Sequence, residues 1–194
     1  MKICIFGGSF DPVHNGHLHL INEIKSELEI DKFIVVPANI SPLKRNVNIT
    51  DNHHRLNMLK LALKNDFPNC VIDKYELNAG GISYTIDTIK KLKLTYGLDN
   101  EYYFLIGSDN ICVIKKWKEY KRVLNLAKFV IVPRENFIKD HIEKEILKEI
   151  IISKITEIDV SSSKIRNAIK ENKSISKFVP TSVKQYINKN NLYK

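Results

Sequence analysis

Lys2-Ile3-Cys4-Ile5-Phe6-Gly7-Gly8-Ser9-Phe10-Asp11-Pro12-Val13-His14-Asn15-Gly16-His17-Leu18 is the stretch whose reading decides the fold. Ile3 to Phe6 form an unbroken apolar run, the pattern of a strand buried on both faces of a parallel sheet. Gly7 and Gly8 end it, and two residues without a Cβ let the backbone turn sharply and approach a ligand, with the Ser9 hydroxyl in the same turn. Beyond Asn15, Leu18, Ile21, Ile24 and Leu28 recur at helical spacing, so His14 and His17 fall where a loop becomes the first turn of a helix. A helix start presents unpaired N–H groups and the positive end of a dipole, and two imidazoles there add donors aimed at one anion. Strand, turn and paired histidines read together as a polyphosphate cradle.

His14-Asn15-Gly16-His17 fits the HxGH signature of the nucleotidylyltransferase superfamily, and the longer Gly-Gly-Ser-Phe-Asp-Pro-Val-His string resembles that of its bacterial nicotinate-nucleotide adenylyltransferases. The signature here follows a predicted strand, opens a predicted helix and is preceded by a glycine turn, so three contexts agree.

Working outward, Phe33-Ile34-Val35-Val36 is a second buried strand ended by Pro37, and the loop after it carries Lys44 and Arg45. Loops at the carboxyl ends of neighbouring parallel strands share the ligand crevice, so these cations either face the same anion as His14 or form an exposed basic loop. Many relatives have Pro-His-Lys here, so Leu43 is a departure that removes one phosphate donor. A helix begins after Thr50 or Asp51, either of which can cap it, with Leu56, Leu59, Ala62 and Leu63 as its buried stripe. His53 and His54 lack a carboxylate or cysteine at metal spacing and read as solvated helix-start residues. Cys70-Val71-Ile72 is a third strand, and a turn is expected from Glu76 through Gly81.

Ser83 is placed to cap the next helix, which leaves Tyr84 and Thr85 at its mouth and Ile86, Ile89 and Leu92 on its inner face. Tyr102 to Ile106 form a fourth strand ending in Gly107-Ser108-Asp109, where a carboxylate is well placed for ribose hydroxyls. Trp117 reads equally as a core anchor or a stacking platform. Phe129 to Val132 give a fifth strand with Arg134 at its carboxyl end, where a guanidinium can stack on adenine. Residues 137–150 read as a charge-laced helix, and Ile150-Ile151-Ile152 as a short last strand. Val160-Ser161-Ser162-Ser163-Lys164-Ile165-Arg166 sets hydroxyls at a helix start and Arg166 one turn in, as a fork-shaped anion clamp. Pro180 starts a final helix, and the chain from Lys189 onward is expected to fray.

Strands alternating with helices predict one doubly wound parallel α/β domain over 1–194, and the resemblance implies a Rossmann-like nucleotidylyltransferase fold for it. The first apolar run is too short for a signal segment, no run is long enough to cross a bilayer, and Cys4, Cys70 and Cys112 read as buried thiols of a reducing cytoplasm. The net charge of +9 favours anionic partners, but no RNP-like string or zinc-finger spacing accompanies it, which argues for small phosphorylated molecules over nucleic acid.

The resemblance implies adenylyl transfer from ATP to nicotinate mononucleotide, giving deamido-NAD and pyrophosphate. On that reading His14, His17, Lys44 and Arg166 are catalytic. Gly7, Gly8, Ser9, Phe10, His14, His17, Gly107, Asp109, Arg134, Ser162, Ser163 and Arg166 bind ATP. Ser9, Lys44, Tyr84, Thr85, Trp117 and Lys118 bind the mononucleotide, with Thr85 on the nicotinate carboxylate and Trp117 stacked on the pyridine ring. Mg²⁺ arrives on the ATP phosphates without a protein cage. Other acceptors in the superfamily are nicotinamide mononucleotide and phosphopantetheine, and the Ser-Tyr-Thr and Trp117 segments argue against the second. A basic nucleic-acid-binding protein is the reading from another class. Membrane binding is not expected, and assembly into a homo-oligomer is left open.

Overall fold

The computed structural model describes residues 1–42, 49–134, 142–155 and 158–194. Six strands, β1 (Lys2–Gly8), β2 (Lys32–Pro37), β3 (Cys70–Ile72), β4 (Glu101–Gly107), β5 (Lys128–Val132) and β6 (Ile150–Ile152), form one parallel sheet in the order β3-β2-β1-β4-β5-β6. Around them run α1 (Asn15–Leu28), α2 (Asn52–Leu63), α3 (Tyr75–Ala79), α4 (Thr85–Tyr96), α5 (Ser108–Ile111), α6 (Tyr120–Leu126), α7 (Lys144–Leu147), α8 (Ser162–Lys170) and α9 (Thr181–Lys189).

Each central strand is apolar at successive positions because both its faces are covered. Cys4, Phe6, Phe33, Val35, Leu105 and Val130 meet Ile24 of α1, Leu59 of α2, Ile165 of α8 and Val183 of α9 on one side. Ile3, Ile5, Ile34, Phe104 and Ile131 meet Ile86, Ile89 and Leu92 of α4 and Val123 of α6 on the other. Each such side chain contributes about 1.5–3 kcal/mol on burial, so a strand apolar at every position is stable only in this sandwich. The sheet is doubly wound, as the sequence predicted. β1 lies between β2 and β4, so strand order reverses there, and the strands at the switch end in Gly7-Gly8 and in Gly107. Ligands bind at such a switch point.

Several local expectations are corrected. Residues 75–79 form α3 rather than a turn, and the reversal comes after it at Gly80 and Gly81, both at positive φ. Among the described residues the helix expected over 137–150 is reduced to α7, followed at once by β6. Ser83 does not cap α4, whose N-cap is Tyr84. On α2, Leu56 is only half-buried, while Arg55 takes a place in the buried stripe with Met58, Leu59 and Ala62. His54 is not simply solvated, since its Nδ1 lies 2.9 Å from the Tyr186 hydroxyl of α9. Cys4 is buried, but Cys70 is half-buried and Cys112 exposed.

The carboxyl end of the chain is also corrected. Tyr193 is half-buried, and its hydroxyl donates to Asp11 Oδ1 at 2.7 Å, 182 positions away. Asp11 is buried in the turn after β1, and its other oxygen accepts from the Thr50 N–H. Burial beside this carboxylate pushes the Tyr193 phenol pKa up, so the hydroxyl keeps its proton. Tyr193→Phe keeps the ring and deletes the donor, leaving a buried carboxylate oxygen underbonded. We expect a loss of about 1–3 kcal/mol, read as a lower denaturation midpoint with an unchanged slope, whereas a frayed terminus would give no shift.

Candidate active site

A cleft of about 1010 Å³ opens along the carboxyl edge of the sheet. Its walls hold Gly7, Gly8, Ser9, Phe10, His14, His17, Tyr84, Thr85, Gly107, Asp109, Trp117, Lys118, Arg134, Ser162, Ser163 and Arg166. The fold thus brings together every predicted site residue except Lys44, which lies outside the described residues together with Leu43 and Arg45.

His14 is the N-cap of α1 and His17 its third residue, and their rings stack with centroids 3.7 Å apart. The His14 backbone N–H donates to His17 Nδ1 at 3.2 Å, which assigns the His17 proton to Nε2. Asn15 ties the motif to the approach to α9, through its backbone N–H to Phe178 O at 2.8 Å and its side chain to Lys177 O at 3.0 Å. Gly16 is dictated by contact, because a Cβ there would stand 2.8 Å from Val160 Cγ1 and 3.0 Å from His14 Nδ1.

Only 7% of His14 is exposed, and its buried Nδ1 has no hydrogen-bond partner among the described residues. Burial first, and the Arg134 charge second, lower its pKa from 6.5 to about 4. A protonated ring would bury an unmatched N–H, whereas the neutral ring with its proton on Nε2 buries only a lone pair at Nδ1. His14 is therefore neutral at pH 7 in the free protein.

The segment from Val160 to Arg166 closes on the turn that precedes the histidine pair. Ser161 caps α8 by accepting from the Lys164 N–H at 3.2 Å, while Ser162 Oγ donates to Pro12 O at 2.9 Å. Arg166 donates from Nη1 to Asp11 O at 2.7 Å and from Nη2 to Ser163 Oγ at 3.3 Å. In this arrangement Ser162 is a strut between α8 and the turn, and Arg166 stands at the cleft with its fork across the same turn.

At the β4 end, a Cβ on Gly107 would lie 2.6 Å from Asp109 Oδ1 and 3.1 Å from Arg134 Nε. Asp109 and Arg134 pair at 3.2 Å, and Ser108 Oγ accepts from the Arg134 N–H. In the other half of the cleft, Lys118 Nζ is 3.0 Å from Asp87 Oδ2 and 4.6 Å over the Tyr84 ring, which joins the start of α4 to the segment carrying Trp117. Trp117 is half-buried and serves as a core anchor. Its ring packs edgewise on Phe104 and Phe129 of the core and also lines the cleft.

Sequence reasoning missed Arg55 and Glu76. Arg55 is 0% exposed, and its guanidinium donates to Ser9 O at 2.7 Å, to Thr50 O at 2.9 Å and to Asn52 Oδ1. The available signal was a cation at the spacing of Met58, Leu59 and Ala62 on an apolar helix face. Glu76 is buried on the cleft wall, accepts from Thr88 Oγ1 at 2.5 Å and has its pKa raised by burial. Nothing in the sequence distinguished it from its neighbours.

A doubly wound sheet, glycine-ended strands at the switch point and a cleft with paired histidines at a helix start and arginines on its walls define a protein that handles nucleotides. Residues 5–168 match the cytidylyltransferase-like family. Over 192 residues the chain is 38% identical to the nicotinate-nucleotide adenylyltransferase of Bacillus subtilis, covering 99% of this chain and 98% of that one. Its structure is similar to that of the Plasmodium falciparum nicotinic acid mononucleotide adenylyltransferase complexed with NaAD, with a TM-score of 0.82, 28% identity and coverage of 99% and 97%. The same enzyme complexed with APC gives a TM-score of 0.80 at 27% identity, covering 99% of this chain and 96% of that one. The chain belongs to the cytidylyltransferase-like family and, within it, to the nicotinate-nucleotide adenylyltransferases.

Gly16→Ala forces either Val160 or the His14 ring to move, so turnover should fall about a hundredfold or more, as when a preorganised donor is lost, while the protein stays folded by circular dichroism. Unchanged turnover would show that the His14 position is not critical. The second expectation concerns acid stability. The folded His14 pKa lies below the unfolded value, so the unfolded chain binds the extra proton between pH 6.5 and 4. The contribution of neutral His14 is complete above that window and is lost as pH falls through it, by up to ~3 kcal/mol. Melting temperatures of wild type and His14→Gln from pH 7.5 to 4.5 should converge on acidification, and parallel curves would exclude the effect.

Proposed function

We propose that the protein transfers the adenylyl group of ATP to nicotinate mononucleotide, releasing pyrophosphate and forming deamido-NAD for NAD biosynthesis. The observation that carries this reading is the single cleft in which a phosphate-binding half, with His14, His17, Ser163 and Arg166, adjoins a half built from Tyr84, Thr85 and Trp117. A phosphate oxygen of the mononucleotide attacks the α-phosphorus of ATP, the bond to the β-phosphate breaks, and pyrophosphate leaves. No protein nucleophile takes part, so catalysis consists of alignment and of donors placed where negative charge grows.

His17 donates from Nε2 to the reacting phosphates. His14 starts neutral, and polyphosphate charge opposes the burial and the Arg134 effect that keep it so, favouring the cation only when substrate is bound. Arg166 turns its fork from Asp11 O toward the leaving pyrophosphate, beside the Ser163 hydroxyl and the N–H groups at the start of α8. Gly107 and Asp109 receive the ribose and Arg134 stacks on adenine, while Lys44 neutralises the attacking phosphate.

Among the described residues no group of three or more His, Cys, Asp or Glu could hold a metal ion. Of the cleft carboxylates, Asp11 is held by Tyr193 and Thr50, and Asp109 pairs with Arg134. This donor set fits Mg²⁺ carried by phosphate oxygens and water, where it would neutralise polyphosphate charge. The reading places the enzyme in the cytoplasm, as one domain working on free nucleotides rather than on nucleic acid. None of the described helices is long and apolar enough to cross a membrane.

Thr85, in the first turn of α4, offers donors to a pyridine carboxylate. Hydrogen bonds to a charged group contribute about 1.5–3 kcal/mol, so kcat/KM should favour nicotinate over nicotinamide mononucleotide by of order ten- to a thousandfold. Pyrophosphate release with each acceptor tests this, and Thr85→Val should narrow the ratio. Equal use of both acceptors by the wild type would refute the acid assignment.

A further inference from the structure

The two halves of the cleft are joined by polar side chains that do not line it. Arg55 holds the turn after β1 through Ser9 O and is bonded through its other nitrogen to Asn52 Oδ1. The Asn52 amide donates in turn to Asn39 Oδ1 at 2.6 Å. Asn39, in the loop after β2, then takes hold of the segment leading into α4 at two points. Its side chain donates to Gly81 O at 2.8 Å, and its backbone N–H donates to Ser83 Oγ at 3.0 Å. The Ser83 N–H closes a ring with Ile40 O at 2.9 Å. Glu76, on the same cleft wall as Ser83, receives Thr88 Oγ1, one turn into the helix that Thr85 begins.

Both ends of this chain of bonds, Ser9 and Ser83, lie on the cleft wall, whereas Arg55, Asn52 and Asn39 do not. We propose that Arg55, Asn52 and Asn39 are positioning residues that hold the phosphate turn and the acceptor half-site in register, so that occupation of one half tightens the other. The structural reason is that the relay has little slack. The Arg55 guanidinium is fully buried, so any shift of the Ser9 turn must be followed by its partners or leave donors unpaired in the core. Asn52 is held between two partners, and Asn39 passes the constraint to Gly81 O and to Ser83 Oγ, on either side of Ile82. The inference rests on the proposed assignment of ATP and nicotinate mononucleotide to the two halves.

Asn39→Ala is the informative variant, because it removes the side-chain bonds to Asn52 and Gly81, keeps the backbone bond to Ser83 and touches no substrate. KM for nicotinate mononucleotide should rise about three- to tenfold, more than kcat falls. The factor by which saturating ATP improves apparent acceptor affinity should shrink toward one. Arg55→Lys, which keeps the charge but loses the fork, should raise KM for both substrates, and its effect on acceptor KM should be less than multiplicative with that of Asn39→Ala. If Arg55→Lys fails to fold, the Asn39→Ala comparison still decides. A lower melting temperature for Asn39→Ala with unchanged acceptor KM and unchanged coupling would overturn the relay and leave a purely structural role. A wild type that releases no pyrophosphate with nicotinate mononucleotide would instead overturn the assignment on which the relay rests.

Discussion

Arg55 is a full positive charge with no exposure to water, and the structure around it satisfies that constraint. Its donors are matched by Ser9 O, Thr50 O and Asn52 Oδ1, and the buried carboxylate of Asp11 lies close enough to favour its charge. Breaking such an arrangement from one side leaves an uncompensated buried charge, which costs about 3–5 kcal/mol. The turn after β1 is therefore not a flexible glycine loop. It is fixed from below by Arg55, from the carboxyl end of the chain by Tyr193 on Asp11, and from α8 by Ser162 on Pro12 O. Phe10 keeps a left-handed backbone within it, with φ at 48°. A conformation so unfavourable for a residue with a side chain persists only where its surroundings hold it.

That rigidity serves the histidines. A neutral, buried His14 stacked on His17, with a glycine contact behind it, is a donor whose position is set before a ligand arrives. Donors that need no reorganisation stabilise developing charge more than donors that must first be gathered. The depressed His14 pKa also keeps two adjacent imidazoles from both being cationic in the free protein, where they would repel each other.

The cations of the cleft are handled differently. Arg134 rests on Asp109, Lys118 on Asp87 and Arg166 on a backbone carbonyl. The Arg134 and Lys118 pairs are about half exposed, where an ion pair is worth roughly 0–1 kcal/mol. Such pairs keep the side chains near their working positions and can exchange partners when a phosphate or carboxylate enters. Fixed histidines and exchangeable cations suit a reaction in which charge must be recognised, stabilised and then released as pyrophosphate.

The sequence by itself determined the sheet, its strands and the chemistry of its edge. Apolar runs ended by Gly7-Gly8, Pro37, Gly107 and Pro133 mark four of the strands, and each strand end carries the residues that reach the cleft. The histidine pair, Asp109 and Arg166 were legible because each stands at a fixed offset from a strand end or helix start, whereas Thr85 and Trp117 were singled out by the family resemblance. What only the tertiary structure decided is how those ends are held. The sequence alone assigns no role to Arg55 or Asn39, takes Glu76 as part of a turn and takes Tyr193 as part of a frayed end. Their roles depend on partners as far as 182 positions away. Helical period and turn chemistry describe neighbours along the chain, whereas the match of a buried charge to its donors and acceptors exists only once the sheet has brought distant segments together.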